Sequence, residues 1–234
     1  SAALPPPWPV GAGLATLVRG GAISALLLLA LLLAGDWLAD RPLLAEALDA
    51  PVMYLPVVWL AWRLLLVPAG LGVAAAFGLF VRPGGWRPLV LATAVLVAAG
   101  SALDVAVGLL GGWLGWQSHW TEWFDADLAW GPAGAVLLSL FATVVIAPVF
   151  EEVIFRGVLY GTLRVRLRPW LAALLSAAVF AAAHGYGTAG FASVLVSGAL
   201  WAWTYERTGS LLPGIAAHVV NNASVGFTLL WLLR

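Results

Sequence analysis

The sequence predicts an all-α fold, a polytopic transmembrane helical bundle of about seven or eight spans. Of its 234 residues, 63% are hydrophobic and only 9% are charged, and the mean hydropathy is +1.00. Ordinary soluble domains are ~45–50% apolar, so this chain lies well outside that class. Because no polar linker interrupts the apolar runs, residues 1–234 are expected to form a single transmembrane domain.

Proline, glycine and charged residues divide the chain into apolar runs, each close to the ~20 residues that a helix needs to cross a bilayer. The predicted spans are at roughly 14–34, 52–80, 88–112, 131–163, 170–184, 189–206 and 211–233. An eighth span results if Pro68-Ala69-Gly70 divides the second one. The first seven residues lack both Met and the basic region of a signal peptide, and we expect them to be a truncation or tag remnant.

Arginine placement predicts the orientation. Basic loops, around Arg87, Arg166 and Arg207, alternate with loops that are mainly acidic, at 36–49 and 122–127. Since basic loops stay on the cytoplasmic side, the N-terminus is predicted to be cytoplasmic. The protein is then an integral multi-pass protein of the cell (plasma or inner) membrane, with the lipid bilayer as its surroundings.

Overall charge and cysteine content exclude several classes of function. Eleven basic residues balance eleven acidic ones, so no basic surface is available for nucleic acid. The chain has no cysteine, which removes disulfides and thiol nucleophiles.

The most informative segment is Glu151-Glu152-Val153-Ile154-Phe155-Arg156-Gly157, which places three ionisable groups inside an apolar span. Such groups are costly at membrane depth and usually pair or function there. Glu152 and Arg156 are four residues apart on a helix and are predicted to form an ion pair. Glu151 lies about 100° around the helix and is predicted to point elsewhere.

Two further helices carry isolated polar groups. Phe180 and His184 share one helical face, and His218 and Asn222 share another, where two donors could hold a developing negative charge. Asn221 is rotated away and is expected to be structural. At 1.5 Å per residue from the cytoplasmic loops, the groups at 151, 184 and 222 all lie ~15–20 Å deep, which indicates one shared polar pocket.

Other polar residues in the chain have simpler interpretations. Arg63 and Asp104 are expected to pair with each other inside the membrane. A tryptophan-rich segment, Trp113, Trp116, Trp120, Trp123 and Trp130, is expected to form an interfacial aromatic belt, with a substrate-gripping re-entrant loop as the alternative. His119 within it is expected to be solvated.

Four motifs occur in order over about residues 140–225: the segment 147–157, Phe180 to His184, Tyr205-Glu206-Arg207-Thr208-Gly209-Ser210, and His218 to Asn222. Together they closely resemble the CPBP family, intramembrane proteases that include the type II CAAX prenyl endopeptidases and bacteriocin-processing or Abi-type proteins. The first 130 residues carry no comparable signature.

The resemblance implies a glutamate-dependent endopeptidase that hydrolyses a peptide bond in a membrane-associated peptide or protein. Glu151 would activate the attacking water with help from His184, and His218 and Asn222 would form the oxyanion site. Glu152 and Arg156 would brace the helix, with Phe180 as a supporting residue. No cofactor or metal is expected.

Two other functions are compatible with the same residues. A zinc-dependent intramembrane protease could use Glu151, His184 and His218, a ligand set of the kind that catalytic zinc prefers. The chain lacks the HExxH motif, however, and the three zinc ligands would come from three different helices. A non-enzymatic protein, a transporter or a scaffold that binds membrane peptides, is the other alternative, although transporters typically show repeats and broken helices.

Overall fold

The computed structural model describes residue 6 and residues 8–81, 85–116 and 130–232. These residues form nine helices and no strand, so the all-α prediction is confirmed. The helices are α1 (Val10–Leu33), α2 (Gly35–Ala39), α3 (Pro42–Leu66), α4 (Val73–Phe77), α5 (Trp86–Leu114), α6 (Ala133–Arg164), α7 (Pro169–His184), α8 (Thr188–Thr208) and α9 (Leu212–Leu232).

Four of these helices, α1, α3, α5 and α6, are long and apolar enough to cross a membrane. The more polar helices α8 and α9 have 21 residues each and α7 has 16. Helices therefore occur at all seven predicted positions, while the number of crossings, seven or eight, stays a prediction.

The predicted bounds of the second span are wrong at both ends. Helix α3 begins at Pro42, where a proline loses no hydrogen bond because the first helical N–H groups have no partner. Glu46 and Asp49 therefore lie inside the helix rather than in a loop. The helix ends at Leu66, and a turn through Gly70, whose φ is +65°, leads to the short helix α4.

The outer surface of the bundle is apolar, and charged groups are enclosed. Large side chains such as Leu33, Trp113 and Trp231 are mostly exposed, whereas Glu152, Arg156 and Glu206 are buried. This distribution suits a bilayer, in which ionisable groups face the protein interior.

Helix α6 occupies the middle of the bundle and contacts α1, α3, α4, α7, α8 and α9. Around it, α1 packs along α3, α7 packs along α8, and α5 packs against α8 and α9. The segment before α1 also takes part, since the buried Trp8 indole donates a hydrogen bond of 3.1 Å to the hydroxyl of Thr162 on α6. The carboxylates of the candidate site thus lie on the helix with the most neighbours.

Two expectations about isolated residues have different outcomes. The pairing of Arg63 with Asp104 is wrong, because the Arg63 guanidinium lies over the Trp62 ring and Asp104 accepts a hydrogen bond from Ser193. The tryptophan segment lies largely outside the described residues, as do His119, Trp120 and Trp123. Of its described members, Trp113 near the end of α5 and Trp130 before α6 are exposed and Trp116 is half-buried, which fits an aromatic belt.

Candidate active site

Helix α6 changes geometry at the candidate site. It runs as an α-helix to Phe141, as a π-helix over Ala142–Ile146, as an α-helix over Ala147–Glu151 and as a π-helix again over Glu152–Tyr160. π-helical turns are rare and frequently mark functional sites. Glu151 is the last residue of the α-helical turn between the two π-segments.

Pro148 explains one polar contact of this helix. The N–H of Ala147 bonds to the carbonyl of Ala142, five residues back, so the next donor in that register would serve the carbonyl of Thr143. That donor belongs to Pro148, which has no N–H. The freed carbonyl instead accepts a hydrogen bond of 2.9 Å from the Asn222 amide on α9. The proline thus creates the acceptor that positions Asn222.

Glu151 is held by two side chains from other helices. The Tyr54 hydroxyl on α3 donates a 2.7 Å hydrogen bond to Oε1, and His218 Nε2 on α9 lies 3.5 Å from Oε2. The Glu151 side chain is 12% exposed, whereas that of Glu152 is 1% exposed. Of the two carboxylates, only Glu151 is open to a small molecule such as water.

Glu152 and Arg156 form the predicted ion pair, with Arg156 Nη1 2.9 Å from Glu152 Oε1. Both side chains are fully buried, and their bond angles are poor for hydrogen bonds, so the attraction is mainly electrostatic. The guanidinium also lies 4.1 Å from the centroid of the Phe180 ring, a cation–π contact. The pair therefore joins α6 to α7.

Glycines on two neighbouring helices make room for this ion pair. A Cβ at Gly198 on α8 would lie 2.7 Å from Arg156 Nη2, and one at Gly214 on α9 would lie 2.9 Å from Glu152 Oε2. Both distances are too short for a side chain, so the interface needs glycine at these positions. The close approach seals the charges from lipid.

His218 lies between the two glutamates. Its Nδ1 is 3.5 Å from Glu152 Oε1, while Nε2 faces Glu151 as described above. The imidazole is buried and stacks on the Trp201 indole, with ring centroids 4.2 Å apart. These contacts fix the orientation of the ring.

His184 ends helix α7 on the same side of Phe180. Its Nδ1 is 2.8 Å from the Phe180 carbonyl, and because a carbonyl can only accept, Nδ1 carries a proton; in the neutral imidazole Nε2 is then an acceptor. The ring also packs on Phe180 and on Tyr186, at 4.5 and 5.2 Å between centroids. Burial, and then the nearby charge of Glu151, raise the pKa of the Tyr186 phenol, which places that phenol in the electrostatic field of Glu151.

The structure thus brings Glu151, Glu152, Arg156 and His218 into direct contact, and Phe180 links them to His184. Asn222 bonds to the Thr143 carbonyl on α6, about two helical turns before Glu151. Within the described part of the chain, no three His, Cys, Asp or Glu side chains are placed to hold one metal ion. Glu151, His184 and His218 therefore do not converge as a ligand set in this conformation.

Three residues of the site were not identified from the sequence. Tyr54 could have been suspected, since it is a lone phenol in an apolar span whose hydroxyl must find a partner in lipid. Trp201 and Thr143 gave no such signal, because an indole or a backbone carbonyl in a helix needs no special explanation.

Comparison with known families addresses the same part of the chain. Residues 133–224 match the model of the Rce1-like family of type II CAAX prenyl endopeptidases. Over this segment the chain is similar to that family. The matched segment contains all the candidate site residues from Glu151 to Asn222, and the predicted resemblance is confirmed.

A curated relative gives a second comparison. The "Putative membrane peptidase YdiL" of Bacillus subtilis (strain 168) is 30% identical over 98 residues. The aligned part is 39% of this chain and 37% of that protein, so the similarity spans little more than a third of either one. No solved structure matches the chain.

Proposed function

We propose that this protein is an intramembrane glutamate-dependent endopeptidase, which hydrolyses a peptide bond in a membrane-associated peptide or protein. One observation carries the proposal: a partly accessible carboxylate, Glu151, is held by Tyr54 and His218 inside an apolar bundle. The family of the segment supports the same reaction class.

Glu151 acts as the general base. Tyr54 bonds to Oε1 at 2.7 Å, whereas Oε2 has only the longer 3.5 Å contact with His218, so Oε2 is the oxygen that takes a proton from water. The resulting hydroxide attacks the carbonyl carbon of the scissile peptide bond. When the carbon–nitrogen bond breaks, the proton passes from Glu151 to the leaving amine. The carboxylate is thereby regenerated.

His184 helps to hold the attacking water. Its Nδ1–H is committed to the Phe180 carbonyl, so Nε2 accepts a hydrogen bond from that water. Two acceptors, Nε2 and the Glu151 carboxylate, would then orient both O–H bonds. Such fixed positioning lowers the entropic part of the barrier.

Asn222 and His218 stabilise the oxyanion of the tetrahedral intermediate. The amide of Asn222 carries two N–H donors, and only one is needed for the Thr143 carbonyl. The second donor is available for substrate. A fixed donor of this kind acts strongly in a site from which bulk water is excluded.

Loss of cleavage on Glu151→Gln tests this function. Membranes containing the active protein or Glu151→Gln are compared by peptide mass spectrometry, and fragments should appear only with the active form. The amide keeps the shape but cannot act as a base, so the rate should fall ~10²–10⁴-fold. Glu46→Gln makes the same chemical change within α3, outside the site, and should cleave normally. Near-normal turnover by purified Glu151→Gln would exclude the assignment.

The arginine-containing loops support an orientation in the cell membrane with the N-terminus in the cytoplasm. The chain has no cysteine, so single cysteines introduced at Asp40 and Arg166 report without background. Asp40 lies between α2 and α3, and Arg166 lies between α6 and α7. In intact cells, a membrane-impermeant thiol reagent should label only the Asp40 variant. Labelling of both from one side contradicts the orientation.

A further inference from the structure

A second polar cavity lies between α5, α8 and α9, separate from the two glutamates. Its volume is about 240 Å³, and its polar lining includes Ser101, Asp104, Ser197 and Asn221. Ser197 is 8% exposed, yet within the described part of the chain its hydroxyl has no hydrogen-bond partner, and neither does the Asn221 amide. Unsatisfied polar groups in lipid are costly, so this lining indicates a polar ligand.

Asp104 is the one ionisable side chain in the described lining of this cavity. Asp104 accepts a hydrogen bond from Ser193, and none of the described arginines or histidines forms an ion pair with it. Intramembrane carboxylates usually have a cationic partner. The oxygen atoms of Ser101 and Asn221 add further acceptors to the same cavity. A carboxylate surrounded by neutral acceptors matches an ammonium or guanidinium group, which carries only donors.

The depth of the cavity restricts the source of that cation. Asp104 lies ten residues before the end of α5 at Leu114, or ~15 Å along the helix. That distance places it near the middle of a hydrocarbon core ~30 Å thick, below the reach of lipid headgroups. The amine must therefore be carried into the membrane by a segment that inserts.

One side chain joins this cavity to the candidate active site. Trp201 lines the cavity, and the same indole stacks on His218 at 4.2 Å. A chain whose scissile bond lies at Glu151 could therefore place a neighbouring side chain against Asp104. The cavity also opens between α5 and α9, where the exposed Ser101 and Ser224 border it, so a membrane segment can enter from the side.

We propose that this cavity binds a basic side chain, lysine or arginine, of the membrane peptide that the protein cleaves, and that Asp104 is its counter-charge. The inference rests on the proposed function, and it names a substrate feature that the site would select. Asp104 is thus a specificity-determining residue and not a catalytic one.

Binding of two matched peptides tests this inference. The probes are Leu/Ala helices of ~20 residues with either one central lysine or norleucine at that position. The full chain carrying Glu151→Gln, in phosphatidylcholine nanodiscs, binds without cleaving, and energy transfer from a dye reports the affinity. The lysine peptide should bind at least about tenfold more tightly, as expected for a charged hydrogen bond. Asp104→Asn should abolish the difference.

Control variants separate charge from packing. Ser193→Ala removes the neighbour of Asp104 but keeps the carboxylate, and Asp49→Asn makes the same change on α3; both should retain the preference. Equal affinity for the two peptides would overturn the proposal, and that comparison does not depend on how well Asp104→Asn folds. A lysine preference that sodium abolishes, at an ionic strength held constant with choline, would assign the cavity to an inorganic cation instead.

The outcomes also distinguish this inference from the proposed function. If the two peptides bind equally and cleavage is normal, the proposed basic-residue site is refuted and the proposed protease function stands. Cleavage by Glu151→Gln removes the glutamate mechanism, while the lysine preference of the cavity is measured separately.

Discussion

Helices α3 and α6 are similar in length, hydropathy and backbone irregularities, but they contribute different polar groups to the candidate site. Both are long, apolar and adjacent, both contain proline, and both include a π-helical segment. The polar group that α3 contributes to the site is Tyr54, whereas α6 contributes Glu151, Glu152 and Arg156. Similar hydropathy and similar backbone irregularities therefore do not predict which helix holds the chemistry.

Partners on other helices make the difference. The charged side chains of α6 contact Gly198 on α8, Gly214 and His218 on α9, and Phe180 on α7. These contact residues all lie within the matched segment 133–224, whereas α3 lies outside it. The buried charges thus require an environment that is built jointly by α6–α9, and the helices before them mainly enclose it.

The largest effect on stability is expected for Glu152→Gln. It leaves the fully buried Arg156 without its counter-charge, and breaking such a pair costs about 3–5 kcal/mol. We expect a sharp loss of yield and a lower unfolding temperature for the purified protein. Tyr54→Phe on α3, which removes a polar group without leaving a charge, should have a much smaller effect on both measurements.

A double substitution checks the reason for that loss. Glu152→Gln combined with Arg156→Met removes both charges, and replacing a buried pair by apolar groups is often close to neutral. The double variant should therefore regain much of the lost stability. If it is no more stable than Glu152→Gln alone, packing rather than the unpaired charge explains the defect.

Asn222→Ala should have the next largest effect, on catalysis rather than stability. It removes the proposed oxyanion donor and should raise the barrier by ~3–4 kcal/mol, seen mainly in kcat. Prolonged treatment with a strong chelator should leave activity unchanged. If zinc bridged Glu151, His184 and His218, chelation would stop hydrolysis and added zinc would restore it, with a milder Asn222→Ala defect because the ion would carry much of the oxyanion charge.

The residues that the sequence could identify were those whose polarity is anomalous in lipid. Ionisable side chains are costly in an apolar span, and this cost identifies Glu151, Glu152, Arg156, His184 and His218. Helical spacing alone predicts the pair of Glu152 with Arg156. Spacing along one helix cannot show which residue lies across from it. The contact of Glu151 with Tyr54, nearly a hundred positions earlier in the chain, depends on the packing of α3 against α6.

The wrong predictions have the same origin. The pairing of Arg63 with Asp104 is predicted because charges in lipid need partners. In the structure Arg63 on α3 instead contacts the Trp62 ring, and Asp104 on α5 contacts Ser193. Arg63 has a cation–π contact, and Asp104 has a hydroxyl donor but no counter-charge among the described residues. The start of α3 was misplaced because Glu46 and Asp49 resemble a loop, although their long helix begins at Pro42.

Tyr54→Phe measures how far α3 takes part in the reaction. Removing the hydroxyl frees Glu151 Oε1 from its 2.7 Å hydrogen bond, which is worth about 1.5–3 kcal/mol when the acceptor is charged. We expect kcat to fall roughly tenfold or more while KM changes little. Tyr160→Phe, which removes a hydroxyl bonded to Glu206 away from the site, is the matched control. Equal kcat values for the two variants would show that α3 only encloses the site and takes no part in the reaction.

The smallest effect, and the most specific, is expected for Pro148→Ala. Alanine restores an N–H that can bond to the Thr143 carbonyl, so it competes with Asn222 for its acceptor. Loss of one neutral hydrogen bond is worth about 0.5–1.5 kcal/mol, so kcat should fall about 2–10-fold. Thermal stability should change little, because the better helix propensity of alanine is offset by the cavity that the fully buried proline ring leaves. Pro51→Ala on α3, an exposed proline whose helix holds no such amide, should raise stability without changing kcat.

Pro148→Ala in the Asn222→Ala background should have no further effect on kcat, since the Asn222 amide that would compete for the Thr143 carbonyl is absent. A further loss in that double variant would show that Pro148 acts on catalysis by bending α6 rather than by freeing the carbonyl for Asn222.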